Sequence, residues 1–302
     1  MKILKIRKPI IDNDINCAIL LAIIDDKFYI NGFIYNFYSQ ICYDKERGLK
    51  FLDYDYFFNE RLFIKKNVEY PLLKNSIKNG NTGIINYIKH EINKNRYVIG
   101  NIFFDEIIYQ GRILIYGYNN YDLYIATVYN NGGWVTKKIS YLKFIDIIED
   151  KYKDKNYCSF DTFYYNSGFL SEFKIEIMHN ELNEYIDEDK NNEIYGINGI
   201  KTFFNNIDNL NLNLFKISLD TLYFHKSIMI KRLDFLIEKK YLPYNTNLML
   251  LINDNINIIK KLRILINDVN SLSQKSNFNI NQLWENYLKN DYKFTSELLI
   301  NT

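Results

Sequence analysis

The cysteine at position 17 is the residue best placed to do chemistry in this chain. Asn13, Asp14 and Asn16 offer several N-cap candidates, and residues 17–24 form an unbroken apolar run. This pattern predicts a buried helix with Cys17 in its first turn. A thiol in that place faces the positive end of the helix macrodipole, which favours the thiolate and makes it a nucleophile. A small buried hydrophobe is the other reading of a lone cysteine, since the thiol packs well in cores. The remaining cysteines, Cys42 and Cys158, are too widely spaced to form a metal site with it. An odd total of three argues against a disulfide framework and for a reducing, cytoplasmic compartment.

The elements that must position Cys17 follow from hydrophobic periodicity. Pro9 ends a first strand. Residues 31–42 are read as a second helix, and residues 49–67 carry a short strand at most. Asn81 and Thr82 cap a helix running to about residue 95, with Ile84, Ile85, Ile88 and Ile92 on one side. Four strands follow at 97–104, 112–118, 123–129 and 134–139, joined by short polar turns at 118–122 and 130–133. That spacing predicts an antiparallel meander. Ser140 caps a helix from 141 to about 151. Beyond it a strand is expected at 172–178, then a solvated loop or frayed helix at 180–193. Three long helices are expected at 213–240, 245–272 and 280–299. The outline is an α+β unit over residues 1–155, with a mainly helical region over 156–302.

The pieces Asn16-Cys17, the strand from Tyr97 to Asp105, Ile113-Leu-Ile-Tyr-Gly-Tyr118, Tyr124 to Asn130 and Ile139-Ser-Tyr-Leu142 carry a family resemblance. The chain resembles the family of the N-terminal domain of butirosin biosynthesis protein H. More distantly, it is similar to the double-glycine leader peptidases of bacteriocin exporters. The resemblance spans residues 10–155, and more loosely the helices after Tyr195-Gly-Ile197. It implies a papain-like (cysteine-protease-like) fold with an antiparallel sheet. It also implies a thiol acyltransferase of natural-product biosynthesis, which moves an acyl group from a carrier-protein thioester to an amine.

In that family the cysteine is the nucleophile. A histidine opens the strand that ends in Gly-Tyr, six residues before the glycine, and an Asp or Asn at the end of the next strand orients it. By this resemblance Cys17 is the nucleophile and Asn130 the orienting residue. The histidine position falls on Gly111, flanked by Gln110 and Arg112. The oxyanion-hole glutamine has no counterpart, with Asp12, Asn13 and Asn16 the nearest candidates. Without a base, an ordinary thiol is only a few per cent ionised near neutral pH. Two expectations follow: an acyltransferase in which Arg112 and the helix terminus support the thiolate, or a catalytically inactive homologue that binds a carrier protein or peptide. A peptidase is the weaker reading, because a departing amine needs the missing proton donor most.

The other polar features carry less. His90, His179 and His225 read as structural or surface residues. His225, beside Lys226, is the one placed to reach a binding cleft, with Asn16 as a second binding residue. Asp105 and Glu106 point to opposite faces of a strand end. Gly132-Gly133 is a hairpin turn without a phosphate-loop context. No cofactor and no metal is expected. The net charge of +2 gives nucleic-acid binding no electrostatic support. No apolar run is long enough to span a membrane. The 27 Tyr and 21 Phe, with abundant Ile, Asn and Lys, reflect AT-rich coding drift rather than an aromatic binding surface. The partners implied are an acyl or peptidyl carrier protein and an amine acceptor.

Overall fold

Strand pairing and helix burial in the computed structural model define an α+β protein, with an antiparallel sheet first and a mainly helical region after it. The structure describes residues 1–11, 15–24, 35, 40–51, 63–69, 83–102, 112–129, 133–153, 159–165, 173–187, 195–206, 212–267 and 274–302. Two compact units are present. The first comprises Met1–Ile30 and Asp53–Ser171, and the second comprises Asn31–Leu52 and Glu172–Thr302.

The first unit is built on β1 (Lys2–Ile3), α1 (Ile15–Ile23), β4 (Phe63–Glu69), α2 (Gly83–Asn93), β5 (Tyr97–Asn101), β6 (Arg112–Tyr118), β7 (Asp122–Val128), β8 (Trp134–Ser140), α3 (Tyr141–Lys153) and β9 (Ser159–Tyr165). The sheet order is β4-β9-β5-β6-β7-β8, and all these pairs are antiparallel. β1 extends the sheet beside β6 beyond the end of β5, pairing Lys2 with Tyr118 and Ile3 with Gly117.

The meander β5 to β8 has the expected polar turn between β6 and β7, and residues 130–132 of the second expected turn lie outside the described residues. Asn119 Oδ1 accepts the backbone N–H groups of Tyr121 and Asp122, each at 2.7 Å, which closes the β6–β7 turn. Ser140 Oγ accepts the backbone N–H of Lys143 at 3.3 Å, the N-cap bond expected of it. Ile113, Leu114 and Ile115 are all fully buried. Consecutive strand residues point to opposite faces, so both faces of β6 are covered. α1 packs on β6 and β7, and α2 on β5, β6 and β1.

The strand β9 was not anticipated from sequence. Its residues, Ser-Phe-Asp-Thr-Phe-Tyr-Tyr, lack a clean apolar alternation, yet it lies between β4 and β5 and is hydrogen-bonded along both edges. Backbone ladders on both edges hold it there, and the interior Thr162 hydroxyl is hydrogen-bonded to the Tyr87 hydroxyl at 2.8 Å.

The second unit contains β2 (Ile41–Asp44) and β3 (Gly48–Phe51), with α4 (Ile175–Ile186), α5 (Gly196–Asn205), α6 (Leu212–Glu238), α7 (Thr246–Asn267) and α8 (Gln274–Asn301). Two expectations are corrected here. The end of the segment read as helix 31–42 is strand: Ile41 and Cys42 pair with Phe51 and Lys50. The strand expected at 172–178 is the start of a helix. Met178, Leu182 and Tyr185 recur on one buried side of α4, and the polar residues Asn180, Asn183 and Glu184 form its outer side. His179 therefore sits on a helix, with Nε2 2.7 Å from Thr302 Oγ1.

The β2–β3 hairpin turns tightly. Asp44 Oδ1 accepts the N–H groups of Glu46 and Arg47, and Gly48 adopts φ +74°. A helix satisfies its edge: Leu49 N–H donates to Ser218 Oγ at 2.8 Å, and Thr221 Oγ1 donates to the Leu49 carbonyl at 2.9 Å. The units thus do not divide at residue 155. β9 belongs with the sheet, and residues 31–52 belong with the helices. Among the described residues no helix is long and apolar enough to cross a membrane.

Candidate functional site

Cys17 is the third residue of α1, in its first turn, and is 9% exposed. Every residue from Ala18 to Ile24 is buried. A helix that is apolar all round must be enclosed, and α1 is held against the central strands β6 and β7 of the first unit. Cys42 lies in a different setting, in strand β2 of the second unit. Cys158 lies outside the described residues, as do Asp12, Asn13, Gly111, Gln110 and Asn130. Asn16 is the second residue of α1.

Arg112, the described neighbour of position 111, opens β6 as part of a cross-strand ladder. In the sheet register Arg112 stands opposite Asn101, and Asn101 stands opposite Ser159. Their side chains follow that order. Arg112 Nε donates to Asn101 Oδ1 at 2.9 Å, and Asn101 Nδ2 donates to Ser159 Oγ at 2.7 Å. The Arg112 carbonyl also accepts the Thr127 hydroxyl at 2.9 Å. The guanidinium is therefore held at the start of β6 by Asn101, which Ser159 holds in turn. Sequence reasoning found Arg112 and missed Asn101 and Ser159, because the ladder depends on the pairing of β9. The signal available was the aromatic content of residues 159–165, without a strand-like alternation.

No protein-family model matches the chain, and no curated protein matches it. A thiol near a helix N-terminus can attack an activated carbonyl. Among the described residues no three His, Cys, Asp or Glu side chains converge as metal ligands would.

His225 lies in the second unit, fully buried on α6. Its ring packs 5.2 Å from that of Tyr185 and 6.3 Å from that of Phe51, which makes it a packed residue of the helical core. Beside it is a buried ionic cluster. The Lys226 ammonium donates to Asp291 Oδ1, and the Tyr185 hydroxyl donates to Asp291 Oδ2 at 2.6 Å. Lys226 Nζ lies 5.4 Å and 5.5 Å from the ring centres of Tyr185 and Tyr287. All four residues are at most 1% exposed.

Burial pushes the hydroxyls of Tyr185 and Tyr287 well above the ordinary value of 10.0, and the Asp291 charge adds to the effect. Burial also lowers the Lys226 ammonium from 10.5, against the pull of Asp291. The two effects have opposite signs in stability. An unfolded tyrosine ionises first, so stability falls as pH rises above about 10. The unfolded lysine holds its proton longer, so its contribution rises with pH and is level above 10.5. Above pH 10.5 Tyr185 and Tyr287 therefore each contribute a decline of about 1.4 kcal/mol per pH unit. Urea midpoints between about pH 10.5 and 11.5 test this. Tyr287→Phe is expected to reduce the slope by that amount, and an unchanged slope refutes the assignment.

Proposed function

We propose that the chain is a papain-like thiol protein of natural-product biosynthesis, in which Cys17 takes an acyl group from a carrier-bound thioester and passes it to an amine. The supporting observation is the place of Cys17, in the first turn of an enclosed helix that packs on an antiparallel sheet. The thiolate attacks the thioester carbonyl, a new Cys17 thioester forms, and the carrier thiolate leaves. An amine then attacks the acyl-Cys17 carbonyl, forming the amide and releasing the Cys17 thiolate, while the proton lost by the amine passes to solvent. Neither leaving group is an amine, so the step that most needs the missing histidine is avoided. Arg112, fixed by Asn101, supplies a positive charge in the same unit. By the family resemblance Asn130 takes the orienting role, Asn16 lies beside the nucleophile, and the partners are a carrier protein and an amine acceptor.

The glycine at position 111 favours a second reading, a catalytically inactive homologue that keeps the fold to bind a carrier protein or peptide. Intact-mass analysis after exposure to a small acyl thioester separates the two. An acyl adduct on the native chain that is lost in Cys17→Ala is the expected result. Equal labelling of both proteins removes the nucleophile and leaves the binding role. Gly111→His should raise the acylation rate, toward the 10²–10⁴-fold (roughly) that a general base contributes.

A further inference from the structure

The helices of the second unit change apolar cluster at one common level. α4 passes from one cluster to the other between Leu182 and Tyr185, and α6 between Leu222 and Met229. α7 does so between Ile252 and Ile258, and α8 between Tyr287 and Phe294. Buried at this level are the polar side chains of His225 and Lys226 on α6, Asn255 on α7 and Asp291 on α8, together with the apolar Ile228 and Ile256. Lys226, Asp291 and the Tyr185 hydroxyl bond to one another.

Asn255 is different. It is 1% exposed, and neither its amide nitrogen nor its amide oxygen has a hydrogen-bond partner among the described residues. The hydroxyl of Tyr287, a residue fully closed from solvent, has none either. Native cores rarely leave such atoms unsatisfied. Buried waters commonly resolve this, each making about three hydrogen bonds to groups of this kind.

We infer that this level of the bundle is an internal hydration site, where ordered water is held by the Asn255 amide and the Tyr287 hydroxyl beside the Lys226–Asp291 pair. The chemistry suits water. Asn255 presents both a donor and an acceptor, and so does a tyrosine hydroxyl, so the ligand must both donate and accept. The two apolar clusters flank this level of the bundle.

A crystal structure of the full chain, at a resolution that shows ordered water, tests the inference. The expected result is a water peak about 2.7–3.2 Å from the Asn255 amide atoms. A dry site, or an Asn255 amide turned onto a protein partner, overturns it. In solution, Asn255→Leu removes the water's anchor and is expected to lower the melting temperature by about 2–4 °C. A rise of that size would mean that a dry, unsatisfied amide had been removed, and would also overturn the inference.

Discussion

Asp291→Ala is expected to destabilise the protein by about 3–5 kcal/mol, the cost of leaving one member of a buried ion pair without the other. The carboxylate is fully buried and serves two donors, the Lys226 ammonium and the Tyr185 hydroxyl. Its removal leaves a buried cation beside the rings of Tyr185 and Tyr287 with no carboxylate to offset it. The effect should come from the stranded charge rather than from the loss of a favourable bond. The double variant Lys226→Met, Asp291→Leu is therefore expected to unfold near the native midpoint. Urea unfolding followed by far-UV circular dichroism measures both. A loss under 1 kcal/mol (roughly, the range of exposed pairs) in Asp291→Ala would mean that the cluster is open to water.

The second large effect is expected at Gly196. This residue opens α5 with φ +54°, a conformation that side chains disfavour. A Cβ built there would lie 2.3 Å from the carbonyl oxygen of Tyr185 and 3.0 Å from its carbonyl carbon and Cα. The opposing atoms are backbone atoms in the last turn of α4 and have no rotamer by which to yield. Gly196→Ala combines a left-handed residue, costing about 1–2 kcal/mol, with an overpacked contact of about 1–3 kcal/mol. The expected loss is about 2–5 kcal/mol, read as a fall in the urea midpoint at unchanged slope. The strain falls on the residue whose hydroxyl bonds Asp291, so the two variants together should lose less than the sum of their separate losses. A Gly196→Ala protein with native stability would refute the close approach of α5 to α4.

Much of the fold was legible wherever local signals sufficed. The helix at Cys17, the strands β5 to β8, the Asn119 turn, the Ser140 cap and the three long helices each declare themselves within a few residues. Where pairing was non-local, the sequence misled. β9 reads as neither helix nor strand until β4 and β5 flank it. The residues 41–44 form a strand because 48–51 pair with them, and the hairpin is seated by Ser218 and Thr221, roughly 170 residues later in the chain. Local composition at α4 reads as a strand followed by a solvated loop or frayed helix, because its polar outer side dominates. Only the burial of Met178, Leu182 and Tyr185 shows which side packs.

The same division holds for the functional residues. The sequence by itself determined that Cys17 stands at the start of an apolar helix, that position 111 is glycine, and that Arg112 begins a strand, because each of these is local. Only the tertiary structure decided that Asn101 and Ser159 hold Arg112, since their contact needs the register of three strands. It also decided that Lys226 meets Asp291 across 65 positions of chain. A buried charge needs its partner, and no short window of sequence contains both Lys226 and Asp291.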